Sequence, residues 1–150
     1  MTEEERKQWR EYKGNVVEEL QRNSSVYATK FYDVLVETDK RIGDYVFSVI
    51  DNPEAHNLYE ILGVRRFLKM LDKYEWKAKR VRHFFKFYET IRFSGLRGRT
   101  RYKLTPVQAY QFANIYGFAR SDGRRLIRTA YLFVPRKFSK TTSCAAMAVY

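Results

Sequence analysis

The chain has 150 residues, of which 45% are hydrophobic and 17% aromatic; this suffices for one domain, or for a small domain and part of another. It contains no run of about 18 apolar residues, and its charged first residues lack the apolar centre of a signal peptide, so we expect neither a membrane span nor secretion. Cys144 has no second cysteine with which to form a disulfide. His56 and His83 are far apart and have no cysteine nearby, which argues against a metal site built on them.

The net charge of +12 is distributed in a step. Residues 1–76 hold 12 Lys and Arg against 15 Asp and Glu, residues 77–103 hold 10 against 1, and residues 104–150 hold 7 against 1. A concentrated positive field usually serves a polyanion, because phosphates neutralised by Lys or Arg release their counterions. Solvated helix surface is the alternative, but the sharp onset at Lys77 favours binding of nucleic acid or nucleotide.

Three segments of the first hundred residues place apolar side chains at helical spacing. Ser24 or Ser25 is positioned to cap the first segment. Asp51 or Asn52, just ahead of Pro53, is positioned to begin the second. The predicted apolar faces are Tyr27, Phe31, Val34 and Leu35 in the first segment, Leu58, Ile61, Val64, Leu68 and Leu71 in the second, and Val81, Phe84, Phe85, Tyr88 and Ile91 in the third.

The third segment, residues 77–93, interleaves aromatic and basic side chains. Such aromatics can stack on nucleic-acid bases, but their helical spacing favours a place in the core. Residues 94–103 contain two glycines and three arginines ahead of Lys103, which predicts an exposed loop.

A further helix is predicted after residue 103. Thr105 is placed as its N-cap, Pro106 as its first residue and Gln108 three residues after the cap. Gly117 supplies a stop at the other end.

The segment that follows predicts a turn, a strand, a loop and a helix in that order. Asp122-Gly123 indicates the turn. Residues 126–134 are rich in β-branched and aromatic side chains and end at Pro135, as a buried strand would. The helix is expected to begin at Lys140. This order is the setting that a phosphate-binding loop requires.

The loop matches the phosphate-loop pattern G-x-x-x-x-G-K-[ST] in part. Lys140 and Thr141 fit the last two positions, whereas Val134 and Ser139 stand where the two glycines are expected. A lysine, backbone N–H groups facing an anion and a hydroxyl for Mg²⁺ are the physical requirements. Ser139 is small enough to let the backbone approach a phosphate, but it lacks the freedom of glycine at positive φ.

The stretch LTPVQAYQFANIYGF…RRLIRTAYLFVPRKFSKTTSCAA closely resembles the start of the ATPase domain in large terminase subunits, the DNA-packaging motors of tailed bacteriophages. That family shows an L-x-P-[WV]-Q helix, a strand of the form R-x-x-[YF]-L-x-V, a glycine-poor loop [PA]-R-K-x-G-K-[ST] and an alanine-rich helix. The upstream region resembles the helical part that precedes this domain. The family tolerates loss of the first glycine, and Ser139 departs from it at the second.

The resemblance implies roles for the residues that match the motif. Gln108 would hydrogen-bond the edge of adenine, although Thr105 and Gln108 also match a capping box. Arg136 would be the catalytic arginine that reaches the γ-phosphate in cis. Lys137 would add positive charge.

The same resemblance makes ATP and Mg²⁺ the expected cofactors. Ser139 would let the backbone approach the phosphates, Lys140 would hold the β- and γ-phosphates, Thr141 would ligate Mg²⁺, and Thr142 would donate to a phosphate. The alternative for these positions is an ordinary helix N-terminus capped by threonine.

We therefore expect a mainly α-helical N-terminal region over residues 1–100, basic from residue 77, followed over 101–150 by the first elements of a P-loop α/β ATPase fold with an incomplete parallel sheet. No carboxylate follows Thr141, whereas P-loop hydrolysis needs a second, acidic motif. We expect that motif and the nuclease domain of the family to lie downstream. The chain would then be the N-terminal part of a terminase, truncated just after its phosphate-binding loop and inactive as an ATPase by itself.

Without further strands, the last residues are expected to be mobile or self-associating. The predicted helix from Lys140 would have no sheet on which to bury Ala145, Ala146 and Val149, and the strand before it would have an unpaired edge.

By the same resemblance, the whole protein would translocate double-stranded DNA into a procapsid. Its partners would be the DNA, the portal protein, the small terminase subunit and further copies of itself in a ring, and it would act in the bacterial host cytoplasm while docked on the portal. The alternative is a small basic helical protein that binds nucleic acid without catalysis.

Overall fold

The structure, a computed structural model, describes residues 1–95, 98–131 and 139–150. The chain folds into two compact units, Met1–Tyr74 and Glu75–Tyr150.

The charge step of the sequence falls at the boundary between these units. The first unit holds 12 basic and 14 acidic residues, whereas the second holds 17 basic and 3 acidic residues. Residues 75–100 belong to the second unit; the domain boundary expected near residue 100 stays a prediction. The first unit therefore has a net charge of −2 and the second a net charge of +14, so all of the excess positive charge belongs to the second unit.

The regular elements of the first unit are all helical. They are α1 (Glu3–Arg22), α2 (Ser24–Lys30), a π-helical segment (Asp33–Thr38), α3 (Lys40–Asp51), a 3₁₀ turn (Pro53–Ala55) and α4 (Leu58–Lys73). The predicted apolar faces form much of its core, because Phe31, Val34, Leu35, Ile61, Val64 and Leu68 are buried. None of the described helices of the chain is both long enough and apolar enough to cross a membrane.

The starts of two helices differ from those expected. Asn23, not a serine, precedes α2; its side chain does not cap α2 but donates to the Glu19 carbonyl at the end of α1 at 2.8 Å. The helix expected to begin at Pro53 starts instead at Leu58. There the Asn57 side chain accepts from the Glu60 N–H at 3.1 Å, and the Glu60 carboxylate accepts from the Asn57 N–H at 2.9 Å. This capping box satisfies two backbone donors at once, so it fixes the helix start.

The second unit combines helices with short antiparallel strands. Its elements are β1 (Glu75–Trp76), α5 (Ala78–Thr90), β2 (Arg92–Gly95), β3 (Gly98–Arg101), α6 (Pro106–Gly117), β4 (Phe118–Ala119) and α7 (Lys140–Val149). β1 pairs with β4, and β2 pairs with β3, both antiparallel. The residues predicted as a loop over 94–103 thus include most of a hairpin.

An aromatic cluster forms the core of the second unit. Phe84 of α5 stacks on Tyr116 of α6 with 4.2 Å between ring centroids, and it lies 4.8 Å from the ring of Phe112. Phe84, Phe85 and Tyr88 are buried. Their predicted place in the core is confirmed.

The expected parallel sheet is not found in the described part of the chain, where every strand pair is antiparallel. Residues 127–131 have no regular structure, and 128–131 are exposed, so the buried strand predicted over 126–134 is wrong there; residues 132–134 lie outside the described ranges. After α6 the chain turns back at Gly123 (φ +75°) and pairs with β4 through Arg125. The Leu126 N–H donates to the Phe118 carbonyl at 2.9 Å, and the Arg120 N–H donates to the Arg124 carbonyl at 2.9 Å, so the chain doubles back on β4 here.

Helix α7 begins at Lys140, as predicted, and one face of it is covered. Ala146 is 1% exposed and Ser143 is 7% exposed, so the expectation that Ala146 would lack a covering surface is wrong. Ser143 hydrogen-bonds the hydroxyl of Tyr88 in α5. The aromatic helices α5 and α6 supply the surface that was expected only from a sheet.

Two helical glycines of the first unit give a matched test of packing. A Cβ added to Gly43 in α3 would clash with the Leu35 carbonyl oxygen, whereas one added to Gly14 in α1 would meet nothing within 4 Å. We expect Gly43→Ala to lower the free energy of unfolding by about 2 kcal/mol, because the backbone must move. Gly14→Ala should raise it by about 0.5–1 kcal/mol, because alanine favours the helix. Urea unfolding of both variants measures this; equal effects would contradict the packing of α3.

Candidate functional site

The backbone directly ahead of α7 has a left-handed conformation. Ser139 has φ 56° and ψ 24°, and it is the only residue other than glycine with positive φ among the described residues. An L-residue in this region carries a cost of about 1–2 kcal/mol that glycine does not. Ser139 stands at the second glycine position of the phosphate-loop pattern. The backbone here therefore has the conformation for which that pattern specifies glycine.

The first turn of α7 contains hydrogen-bond donors and no acidic side chain. Lys140 and Thr141 are exposed, Thr142 is half-buried, and the turn contains no acidic residue. The Ser143 N–H donates to the Ser139 carbonyl at 2.9 Å, so the N–H groups just before it belong to those that a helix start leaves without an intrahelical acceptor. The Ser139 side chain does not cap them. Such a turn favours an anion through both its N–H groups and the helix dipole.

Gln108 occupies the start of α6 and is used there as a cap. It is buried, and its Oε1 accepts from the Thr105 N–H at 3.0 Å and from the Thr105 hydroxyl at 3.1 Å. The Gln108 N–H donates in turn to the Thr105 oxygen at 3.4 Å. The capping box that the sequence offered as the alternative role of Gln108 is thus present. Contact of Gln108 with adenine would have to use the two N–H donors of its side-chain Nε2. The adenine role stays a prediction.

The other residues predicted for the site divide into two groups. Ser139, Lys140, Thr141 and Thr142 come together at one helix start. Arg136 and Lys137 lie outside the described residues.

The start of α7 offers one side-chain ligand for a magnesium ion. The exposed Thr141 hydroxyl is an oxygen ligand of the kind Mg²⁺ accepts. The described residues contain no group of three or more His, Cys, Asp or Glu side chains placed to hold a metal. A magnesium ion here would therefore take most of its ligands from nucleotide phosphates and water, as is usual for this ion.

A second basic feature lies on the β2–β3 hairpin. Arg92 stands opposite Arg101, and Ser94 stands opposite Arg99. All four residues are exposed. The sequence interpretation of a loop missed this pairing, although Gly95 and Gly98 flank two residues in the spacing of a hairpin turn.

A groove of about 550 Å³ is lined by Arg80, Tyr116, Arg124, Arg125, Met147 and Tyr150. The Arg125 guanidinium lies 5.4 Å from the centroid of the Tyr116 ring, and Arg80 Nη2 donates to the Gly123 carbonyl at 2.6 Å. Burial raises the pKa of the Tyr116 hydroxyl above its ordinary value, although Arg125 opposes the shift. This groove adds three guanidinium groups to the surface of the second unit.

Comparison of the chain with protein-family models, with curated proteins and with solved structures gives no match. The interpretation of these sites depends on their residues and geometry.

The strain at Ser139 can be measured. We expect Ser139→Gly to raise the free energy of unfolding by about 1 kcal/mol, because glycine adopts positive φ without the steric cost. Ser139→Ala is the matched control: it keeps a Cβ, and the serine side chain caps nothing, so it should bring no such gain. Urea unfolding monitored by circular dichroism compares the two. A gain for alanine equal to that for glycine would contradict the left-handed backbone.

Proposed function

We propose that the chain is the N-terminal part of a large-terminase-like DNA-packaging ATPase, and that residues 136–142 bind the phosphates of ATP. One observation carries the proposal: a left-handed residue at the glycine position stands directly before Lys140 and Thr141 at the start of a helix. That arrangement combines N–H groups without an intrahelical acceptor, a lysine and a hydroxyl, which together form the chemistry of a phosphate loop.

The first turn of α7 supplies the groups that would act on the nucleotide. The Lys140 ammonium group would neutralise the β- and γ-phosphates, and the backbone N–H groups beside it would donate to the same oxygens. The Thr141 hydroxyl would be one ligand of Mg²⁺, whose chemistry is to neutralise charge that develops between these phosphates. Thr142 would donate to a further phosphate oxygen.

The residues ahead of α7 would complete the loop. By resemblance to the terminase family, Arg136 would reach the γ-phosphate as an arginine finger in cis, and Lys137 would add charge. The P-loop α/β fold is part of the same proposal. Residues 132–138, which include Arg136 and Lys137, lie outside the described ranges.

Double-stranded DNA is the proposed partner of the second unit. That unit holds 17 basic and 3 acidic residues, a balance that supports binding to a polyanion. Packaging of this DNA through a portal, together with a small terminase subunit and a ring of identical copies in the bacterial cytoplasm, follows from the resemblance alone.

A second candidate is a basic protein that binds nucleic acid without using ATP. The exposed arginines of the β2–β3 hairpin favour it, since they need no nucleotide site. The two candidates share the DNA partner and differ in whether the start of α7 binds phosphate.

Nucleotide binding tests the proposal at Lys140. We expect the chain to bind a fluorescent ATP analogue with Mg²⁺, and Lys140→Ala to weaken this binding by about 10–100-fold, because a hydrogen bond to a charged group contributes about 1.5–3 kcal/mol. Lys86→Ala is the control, since it removes the same charge from an exposed position on α5 of the same unit.

Two results would count against the phosphate loop. Tight nucleotide binding that survives Lys140→Ala would place the nucleotide elsewhere. Absence of nucleotide binding in a chain that still binds DNA would favour the second candidate.

A further inference from the structure

The register of the β2–β3 hairpin places three arginines on one face. Arg92 and Arg101 are direct cross-strand partners, and Arg99 is the partner of Ser94. Because side chains alternate along a strand and cross-strand partners share a face, Arg92, Ser94, Arg99 and Arg101 belong to the same side of the hairpin. We refer to Arg92, Arg99 and Arg101 as the arginine face.

The opposite side of the hairpin is held against the unit by Phe93. Its ring lies 5.8 Å from the ring of Tyr88 in α5 and 5.8 Å from that of Tyr102. Since Tyr88 is buried, this contact fixes which side of the hairpin faces inward. The arginine face therefore points to solvent, and all three of its side chains are exposed.

The arginine face is electrostatically uncompensated in the free chain. Like charges directly opposite each other destabilise a strand pair, and Arg92 and Arg101 are such a pair. None of the three arginines forms an ion pair within the described residues. The nearby carboxylate of Glu89 accepts from the Leu104 N–H at 3.0 Å.

We propose that the arginine face binds the phosphate backbone of double-stranded DNA. Arg99 and Arg101 are about 6.8 Å apart along the strand, comparable to the spacing of successive phosphates, and guanidinium groups bind phosphate in a bidentate manner. A two-stranded ribbon is also narrow enough to follow the major groove. The choice of DNA as the polyanion rests on the proposed function, whereas the geometry is independent of the nucleotide site.

The test compares two triple variants of the whole chain that remove the same charge. Arg92→Gln, Arg99→Gln and Arg101→Gln together remove the arginine face; Lys86→Gln, Arg120→Gln and Arg128→Gln remove three exposed positive charges elsewhere in the unit. Fluorescence anisotropy with a labelled duplex, without nucleotide, measures affinity from about 50 to 200 mM salt.

We expect loss of the arginine face to weaken binding on the order of 100-fold near 0.1 M salt and to reduce the log–log salt slope by about 2.7, from about 0.9 for each of three phosphate contacts. The fold-loss of affinity in the control variant should be less than a tenth of the fold-loss in the variant without the arginine face. Equal losses of DNA affinity in both variants would show that only the total charge matters. Unchanged DNA affinity without the arginine face would show that the arginine face is not part of the interface. Either result would overturn the proposal.

Thermal stability separates a binding role from a structural one. Removing the facing arginines should leave Tm unchanged or raise it by about 1–2 °C at low salt, because a repulsive pair is lost. A fall of Tm by several degrees would mean that the arginines stabilise the hairpin, and would contradict the proposal. Since no nucleotide is present, failure of the phosphate loop at Lys140 would not alter these results.

Discussion

The stacking of Phe84 on Tyr116 is the contact around which the second unit is built. These rings join α5 to α6 with 4.2 Å between centroids, and the Tyr150 ring packs edge-on against Phe84 at 5.0 Å. Aromatic pairs of this kind add about 0.5–1.5 kcal/mol beyond the burial of their surface. Three segments distant in sequence thus share one side chain, and α7 is positioned by the same contacts that hold α5 to α6.

This arrangement separates the roles of the aromatic and basic residues that alternate in the sequence. Helix α5 turns Val81, Phe84, Phe85 and Tyr88 inward, so its lysines and arginines remain on the outside. The hairpin repeats the division, with Phe93 against Tyr88 and the arginine face in solvent. The positive charge therefore lies on the outside of a packed aromatic core, which favours a folded basic surface over a basic tail as the binding site for a polyanion.

Local signals in the sequence predicted where α6 and α7 begin, because caps and apolar periodicity act over a few residues, but they misplaced the starts of α2 and α4. Thr105, Pro106 and Gln108 mark the start of α6 as expected, and Lys140 begins α7. The pairing of strands was harder to predict from the sequence. The pairing of Trp76 with Phe118 and of Arg92 with Arg101 depends on distant residues or on register, and a run of β-branched residues after residue 126 predicted a strand that the described residues 127–131 do not form. The conformation of Ser139 was also hidden, since serine rarely adopts positive φ.

The central claim is that α7, which carries the proposed phosphate-binding residues Lys140, Thr141 and Thr142, is docked on the aromatic helices. Hydrogen exchange on Ala146→Asp and Ala145→Asp tests it most directly, since Ala146 is buried and Ala145 is exposed on the same helix. The account predicts protected α7 amides in the original chain and in Ala145→Asp, loss of that protection in Ala146→Asp, and retained protection of α5 in all three. Exchange of the α7 amides at the rate of an unfolded peptide in the original chain would contradict it.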